Sequence, residues 1–401
     1  MSLRRVLVVV AALVVAALIV FRGGLVLNAP VELALLVFVY FLPFLANRAQ
    51  HLHLSPSRIP LKQGDVEAVH RPPNQLRTIS YNLFLRPGIM WIRNNESDHK
   101  DARLQAFLRH LDSFDIVCLQ EMFALLSFRQ RRLIQEAEQR GFCHAAVAGA
   151  PTWLFWDRNW SFKIPFLDAG VVTLSRHPIL QTDSHYYRLG NQIDGWAPKQ
   201  VLWALVRLPG EDNLLHVFNT HMQASYYDAP SGVSDMARAK QVAELAQFVK
   251  EKVYGGAGPR YPALICGDFN LDAIDARHQG PHSLDYVRML DILSRELNSP
   301  ADGFVVRDLA FESLGHHPVT YGDVAEGEGP RRPREVLLTH PADHCCALSI
   351  DYSLFLGPPD GHARLRHVGT SIEPFFCEPG EAGPCTQLSD HYGVTSLFAL
   401  E

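Results

Sequence analysis

Two apolar runs open the chain, at residues 6–21 and, after Arg22-Gly23-Gly24, at residues 25–45, the second broken only by Asn28, Pro30 and Glu32. Neither carries the polar face of an amphipathic core helix. A spanning helix needs about 20 apolar residues, so the first run is short and the second is long enough. Residues 1–46 are therefore expected to form a membrane-associated hydrophobic helical hairpin. The competing reading is a secretory signal peptide over residues 6–21, but a cleaved protein would then begin polar, whereas this one continues apolar. Arg4 and Arg5 precede the first run, and Arg48 and Arg58 follow the second. That bias places both ends, and the rest of the chain, on the cytoplasmic side of a membrane, with the lone Arg22 arguing weakly the other way.

Residues 47–75 hold prolines at 56, 60, 72 and 73 and little periodicity, which predicts a linker or collar. From Leu76 the pattern changes to short β-rich runs alternating with helical spacing. Strands are expected over 77–84, 116–120, 170–175, 200–208, 214–221, 263–268, 349–356 and 393–400, and helices over 101–111, 127–140 and 236–252. This alternation predicts one domain of mixed α/β (α+β) class over residues 76–401.

Composition narrows the chemistry only slightly. Apolar residues make up 47% and charged residues 20%, and a net charge of -5 offers no basic excess of the kind that tracks a nucleic-acid backbone, so no nucleic-acid partner is expected. None of the seven cysteines forms a metal-type CxxC pair. Cys118 and Cys266 sit in strand-like runs and read as core thiols. Cys377 and Cys385 flank a Pro/Gly-rich loop that a disulfide could bridge, although spacing alone does not establish one.

The sharper signal is that several apolar strands end in a polar group: Asn82, Glu121, His221, and Asp268 with Asn270. Strand ends are rigid mounts, and a fold that gathers them at one rim gathers their side chains into a site. Glu121 is a hard oxygen ligand of the kind Mg²⁺ accepts, or an ordinary strand-end acid. Asp268 and Asn270, two residues apart and expected to point the same way, could orient a water and bond a phosphate oxygen. In Asp390-His391 the histidine could take a proton from water while the aspartate touches a metal, with Asp351 on another strand orienting the ring. His221 could stabilise charge on a phosphate or protonate a leaving group. Most of the 19 histidines, His316, His317, His340 and His344 among them, need no such role. Trp153, Phe155, Trp156 and Trp160 could meet a lipid or choline group, or simply pack.

Taken in order, Asn82, Glu121, His221, Asp268-x-Asn270, Asp351 and Asp390-His391 resemble the motifs of the endonuclease/exonuclease/phosphatase superfamily. Its DNase I-like fold is a four-layer αββα sandwich. Within it, Asn219-Thr220-His221-Met222-Gln223-Ala224 is similar to the Thr-His-Leu-Gln-Ala run of neutral sphingomyelinases, with Met222 in place of leucine. Asp194 and Lys199 match a spaced Asp/Lys pair that lies near the site in those enzymes and is proposed to switch the membrane-bound type between active and inactive arrangements. The apolar start adds a likeness to that membrane-bound type, although no long insertion of the vertebrate kind is evident here.

The resemblance implies hydrolysis of sphingomyelin, or a related phospholipid, to ceramide and phosphocholine at a membrane. It implies Mg²⁺, with Mn²⁺ able to substitute, held by Glu121, Asn82 and Asp390. His391 would be the base, His221 the transition-state stabiliser, and Asp268 and Asn270 would meet nucleophile and phosphate, with Asp351, Asp194 and Lys199 completing the site. Asn270, His221 and Lys199 would contact substrate. The alternative is a Mg²⁺-dependent nuclease or another phosphoesterase of the same fold, although the Trp-Cys-Asp-Arg run of inositol phosphatases is absent. A membrane scaffold with a decayed site is a third reading, which the full set of polar residues argues against.

Overall fold

Which face of each strand is apolar decides the architecture. The computed structural model describes residues 50–53, 74–86, 98–124, 127–149, 155–156, 162–163, 168–190, 194, 199–210, 213–225, 232–256, 259–275, 280–301, 303–325, 330–358 and 365–400. In chain order the principal strands are β1 (Gln50–His53), β2 (Gln75–Leu85), β3 (Ile116–Met122), β4 (His144–Val147), β5 (Val172–Ser175), β6 (Ile179–Tyr186), β7 (Gln200–Arg207), β8 (Leu214–His221), β9 (Ala263–Asp268), β10 (Val305–Asp308), β11 (Asp351–Gly357), β12 (Leu365–Glu373) and β13 (Gly393–Leu400). The α-helices are α1 (Lys100–Leu108), α2 (Arg129–Gln139), α3 (Val233–Tyr254), α4 (Leu284–Leu297) and α5 (Leu309–Leu314).

One sheet runs β1-β4-β5-β3-β2-β13-β12 and the other β10-β11-β9-β8-β7-β6. Each has one parallel pair, β2 with β3 and β8 with β9, among antiparallel neighbours. Leu76, Ile116, Cys118, Leu215, Val217, Leu264, Cys266, Phe355 and Phe398 fill the layer between the sheets. On the outer face of the first sheet, Ile79, Tyr81, Val117 and Leu119 pack against Leu104 and Phe107 of α1 and Leu133 of α2. On the outer face of the second, Phe218, Ile265 and Leu354 meet Val242 and Leu245 of α3 and Met289 and Leu293 of α4. The layers are helix, sheet, sheet, helix, as expected for the described domain.

Along these strands the inward positions change character. Two-residue alternation carries Leu76-Thr78-Ser80-Asn82, Ile116-Cys118-Gln120, Leu215-Val217-Asn219-His221 and Leu264-Cys266-Asp268 from apolar to polar towards one rim. The buried polar atoms find partners across the interface. Gln120 Nε2 donates to Asn219 Oδ1 at 2.7 Å, Asn219 Nδ2 donates to Leu119 O at 3.2 Å and Val172 O at 3.0 Å, and the Ser353 and Ser396 hydroxyls lie 2.9 Å apart. Leaving such groups unpaired would cost roughly 1–3 kcal/mol each, so the network fixes how the sheets meet near that rim.

Several expectations change. The stretch 47–75 is not linker throughout, because the backbone of β1 pairs with β4 at the sheet edge. The predicted hairpin, residues 1–46, lies outside the described residues, and no helix among those described is long and apolar enough to cross a membrane. All seven cysteines are free thiols. Cys377 N donates to Thr386 O at 2.9 Å, so this register sets Cys377 against Thr386 rather than Cys385, and burial pushes both thiols up to about 11. Of the aromatic cluster at 153–160 only the backbone of Phe155–Trp156 is described, paired with Phe162–Lys163.

Candidate active site

Register brings the second sheet's share of the site together. His221 pairs with Asp268 across β8 and β9, and Asp268 with Asp351 across β9 and β11, so the three stand in one row at the strand ends. Close approach of β8 and β9 requires Gly267. With φ at +142°, a Cβ there would lie 1.9 Å from Thr220 O. Thr320 Oγ1 fixes the start of β11 by accepting from Ile350 N and Asp351 N, both at 3.0 Å.

The first sheet supplies Asn82, Glu121 and the Asp390-His391 segment before β13. Ser389 Oγ donates to Asn82 O at 2.6 Å. Arg103, fully buried on α1, clamps the same junction. Its Nη1 donates to Leu83 O at 2.9 Å and Leu388 O at 2.7 Å, its Nη2 to Phe84 O at 2.8 Å, and its Nε to Asp98 O at 2.7 Å. Glu121 has the wrong parity to face inward, and its φ of 55° breaks the alternation there. Gly170 makes room for that turn, since a Cβ on it would sit 3.1 Å from the Glu121 Cα.

Asp268 is the hub of the row. Its Oδ2 accepts from Asn82 Nδ2 at 3.0 Å, and lies 3.4 Å from His221 Nε2 and 3.8 Å from His391 Nε2. The other ring nitrogen of His391, Nδ1, is 2.9 Å from Asp351 Oδ2. Burial resists charge on His391, but the carboxylates of Asp351, Asp268 and Asp390 outweigh it and carry its pKa up to about 10. Burial and Asp351 push Asp268 upward, against the pull of His391, Lys199 and Asn82. His221 goes the other way, held neutral by burial, Lys199, His391 and Arg86.

Asp194 and Lys199 are in contact. Lys199 Nζ is 3.4 Å from Asp194 Oδ1 and 2.6 Å from His221 Nε2, and Asp194 Oδ2 accepts from Ala224 N at 2.9 Å. A lysine donating to Nε2 leaves the ring proton of a neutral His221 on Nδ1. Asn270 departs from its expected direction. Its φ of 52° ends the alternation after Asp268, its backbone N–H donates to Asp268 Oδ1 at 2.8 Å, and its Nδ2 donates to Met222 O at 3.0 Å.

Two sets of donors could hold a cation. Single ligand atoms of Asp268, Asp351 and His391 all lie within 4.8 Å of one another. The His391–Asp351 bond and the Asn82 bond to Asp268 occupy part of this set, in the pattern of a hydrogen-bonded triad, while Asp351 Oδ1 is buried without a partner. Glu121 with Asp390 is the second set. Glu121 Oε2 is buried with no hydrogen-bond partner, and burial together with the Glu121 charge raises Asp390 to about 6 against the pull of His391 and Arg86. Two close carboxylates with an open oxygen are the donor set a hard divalent cation takes. Asn82 borders this pair, with its Nδ2 committed to Asp268 and its Oδ1 accepting from Phe84 N at 3.0 Å.

Several residues of the site escaped the sequence. Arg86 Nε lies 3.4 Å from Glu121 Oε2, and the Tyr321 ring packs 4.9 Å from that of His391. Neither Arg86, Arg103, Thr320 nor Tyr321 sits in a motif, so only the fold reveals them. Asn82, Glu121, His221 and Asp268, expected at strand ends, lie near Asp351, Asp390 and His391 at one rim.

Comparison with known proteins agrees with this geometry. Residues 79–344 match the Endonuclease/Exonuclease/phosphatase family. A sphingomyelinase of Dictyostelium discoideum is 28% identical over 365 residues, covering 77% of this chain and 76% of that protein. A sphingomyelinase C of Bacillus cereus is 24% identical over 241 residues, 59% of this chain and 68% of that protein. In fold, the chain is similar to Staphylococcus aureus beta toxin crystallised with bound magnesium ions, at a TM-score of 0.52 and 18% identity, covering 80% of this chain and 99% of that one.

Proposed function

The chain belongs to the endonuclease/exonuclease/phosphatase family, and on that premise we propose that it is a divalent-cation-dependent phosphodiesterase hydrolysing sphingomyelin, or a closely related choline phospholipid, to ceramide and phosphocholine. One observation carries the reading: the buried row His221, Asp268, Asp351 is closed by His391 and stands beside an acidic pair with an open oxygen. The substrate class rests on likeness to the Dictyostelium and Bacillus sphingomyelinases.

Roles follow from the bonding. Asp351 engages Nδ1 of His391, so Nε2, turned towards Asp268, is the nitrogen that receives a proton from water. Asp268, anchored by Asn82, accepts the other hydrogen of that water and aims its oxygen at phosphorus. The new P–O bond forms as the bond to the ceramide oxygen breaks, and that oxygen leaves with a proton. Lys199 and His221 place donors where charge gathers on the phosphate, with Asp194 holding Lys199. Glu121 and Asp390, with Asn82, would hold Mg²⁺, or Mn²⁺ in its place, which supplies positive charge to the phosphate and the leaving oxygen. Asp390 is one of the anionic neighbours that keep His391 protonated, so a cation held there would favour the neutral base. Residues 1–46 would keep the enzyme at its membrane substrate, facing the cytoplasm.

The test is phosphocholine release from sphingomyelin vesicles by the purified chain with and without Mg²⁺, beside phosphatidylcholine and plasmid DNA. Cation-dependent cleavage of sphingomyelin supports the proposal. Cleavage of DNA instead, or no turnover on any substrate, overturns it.

A further inference from the structure

Two arginines border the first-sheet half of the site, and they are held very differently. Arg103 is spent on four carbonyl bonds of 2.7–2.9 Å and has no freedom. Arg86 is the reverse. Its guanidinium lies over the Phe84 ring, 4.1 Å from the centroid, and its Nε stands 3.4 Å from Glu121 Oε2. That carboxylate oxygen is buried yet accepts no hydrogen bond. A guanidinium permanently paired with a carboxylate would close to a short forked bond. This one is attracted without being bonded, on a side chain 36% exposed against 14% for Glu121.

The platform beneath it, by contrast, is rigid. Phe84 is fixed through its N–H to Asn82 Oδ1 and through its carbonyl to Arg103. From that position Arg86 favours the charged form of Asp390 and disfavours a charged His221, so its field reaches both halves of the site.

We infer that Arg86 is an exchangeable internal counter-ion, which occupies the open oxygen of Glu121 in the cation-free protein, yields it to the divalent cation, and then serves as the arm that binds the substrate phosphate. This rests on the phosphodiesterase reading above. It follows from the chemistry of the two ions, because Glu121 cannot offer the same oxygen to both. A displaced guanidinium still stacked on Phe84 presents a planar fork suited to phosphate oxygens.

The exchange predicts opposite signs for two binding constants, which a merely structural arginine would not give. In the full-length chain, Mn²⁺ titrated calorimetrically should bind Arg86→Met about two- to five-fold more tightly than wild type, a gain typical of removing one partly exposed competing charge. Phosphocholine, titrated with Mn²⁺ saturating, should bind the same variant about ten-fold more weakly. Arg86→Lys, which keeps charge but not the fork, should retain the wild-type Mn²⁺ constant while losing phosphocholine affinity. Equal Mn²⁺ affinity in wild type and Arg86→Met, or both ligands weakened together, overturns the exchange. Failure of the wild type itself to bind Mn²⁺ would instead overturn the cation-dependent reading on which it rests, and the wild-type titration tells the two apart.

Discussion

The two halves of the site are built from the same device, polar residues at the ends of a parallel strand pair, but are finished differently. On the second sheet, His221, Asp268 and Asp351 form a row locked by register and tied to His391, with only His221 Nδ1 and Asp351 Oδ1 of their side-chain atoms buried without a hydrogen-bond partner. On the first sheet, the charge of Glu121 acts on Asp390, its buried Oε2 accepts no hydrogen bond, and Arg86 stands 3.4 Å from it on a partly exposed side chain. The closed half is preorganised for moving a proton; the open half stores unsatisfied negative charge for something that arrives. Removing residues should therefore have opposite consequences on the two sides.

The largest effect belongs to the closed half. His391→Ala should lower the hydrolytic rate by about 10²–10⁴-fold, the span of general acid–base contributions, without abolishing Mn²⁺ binding, because the base is not a ligand of the open half. A rate loss accompanied by loss of cation binding would merge the halves and favour the Asp268, Asp351 and His391 donor set. Glu121→Gln comes next, with Mn²⁺ affinity falling by about 10–100-fold in calorimetry and the rate partly recovering at high Mn²⁺. Loss that no cation concentration restores would count against Glu121 as a ligand.

Smaller effects appear in the stability of the cation-free protein. His391 is raised from its usual 6.5 to about 10, so its imidazolium contributes stability that is complete below about 6.5 and lost as pH rises through 10. Asp390 is raised to about 6, so its protonated form contributes below about 4 and is lost as pH rises through 6, leaving a buried charge that costs stability at pH 8. His391→Gln should accordingly lower the melting temperature at pH 6, with the difference from wild type shrinking by pH 10.5. Asp390→Asn should raise it at pH 8 and not at pH 4, by a few degrees, taking about 1–2 °C per kcal/mol for a domain of this size. Scanning fluorimetry in chelator measures all four. Destabilisation by Asp390→Asn at pH 8 would mean that the open half is not strained.

How much of this the sequence discloses depends on how local each signal is. Strands 214–221, 263–268 and 393–400 coincide with the observed elements because their apolar runs and bounding turns are contiguous. The site residues among them were legible because a polar side chain closing such a run has few structural reasons to be there. Glu121 was found by its place at the strand end, although its parity is reversed, and only the φ of 55° explains how it serves the site. Asn270 shows the converse, since alternation was extended one step past the strand and failed at a φ of 52°. Helix α4 was missed although Tyr286, Met289, Leu293 and Leu297 mark its buried face and Ser283 caps it by accepting from Tyr286 N. Arg103 lies 285 residues from its Leu388 partner, and β1 reaches β4 across 91 residues at its closest pair, so neither could be read from neighbours in sequence.

The most direct test of the central claim is hydrolysis of sphingomyelin in ¹⁸O-enriched water with Mg²⁺, the label being located by mass spectrometry. Water aimed at phosphorus by His391 and Asp268 predicts phosphocholine carrying one ¹⁸O, unlabelled ceramide, and product formed at least about a hundred-fold more slowly by His391→Ala. Label in the ceramide, release of free choline, or undiminished product from His391→Ala would contradict it.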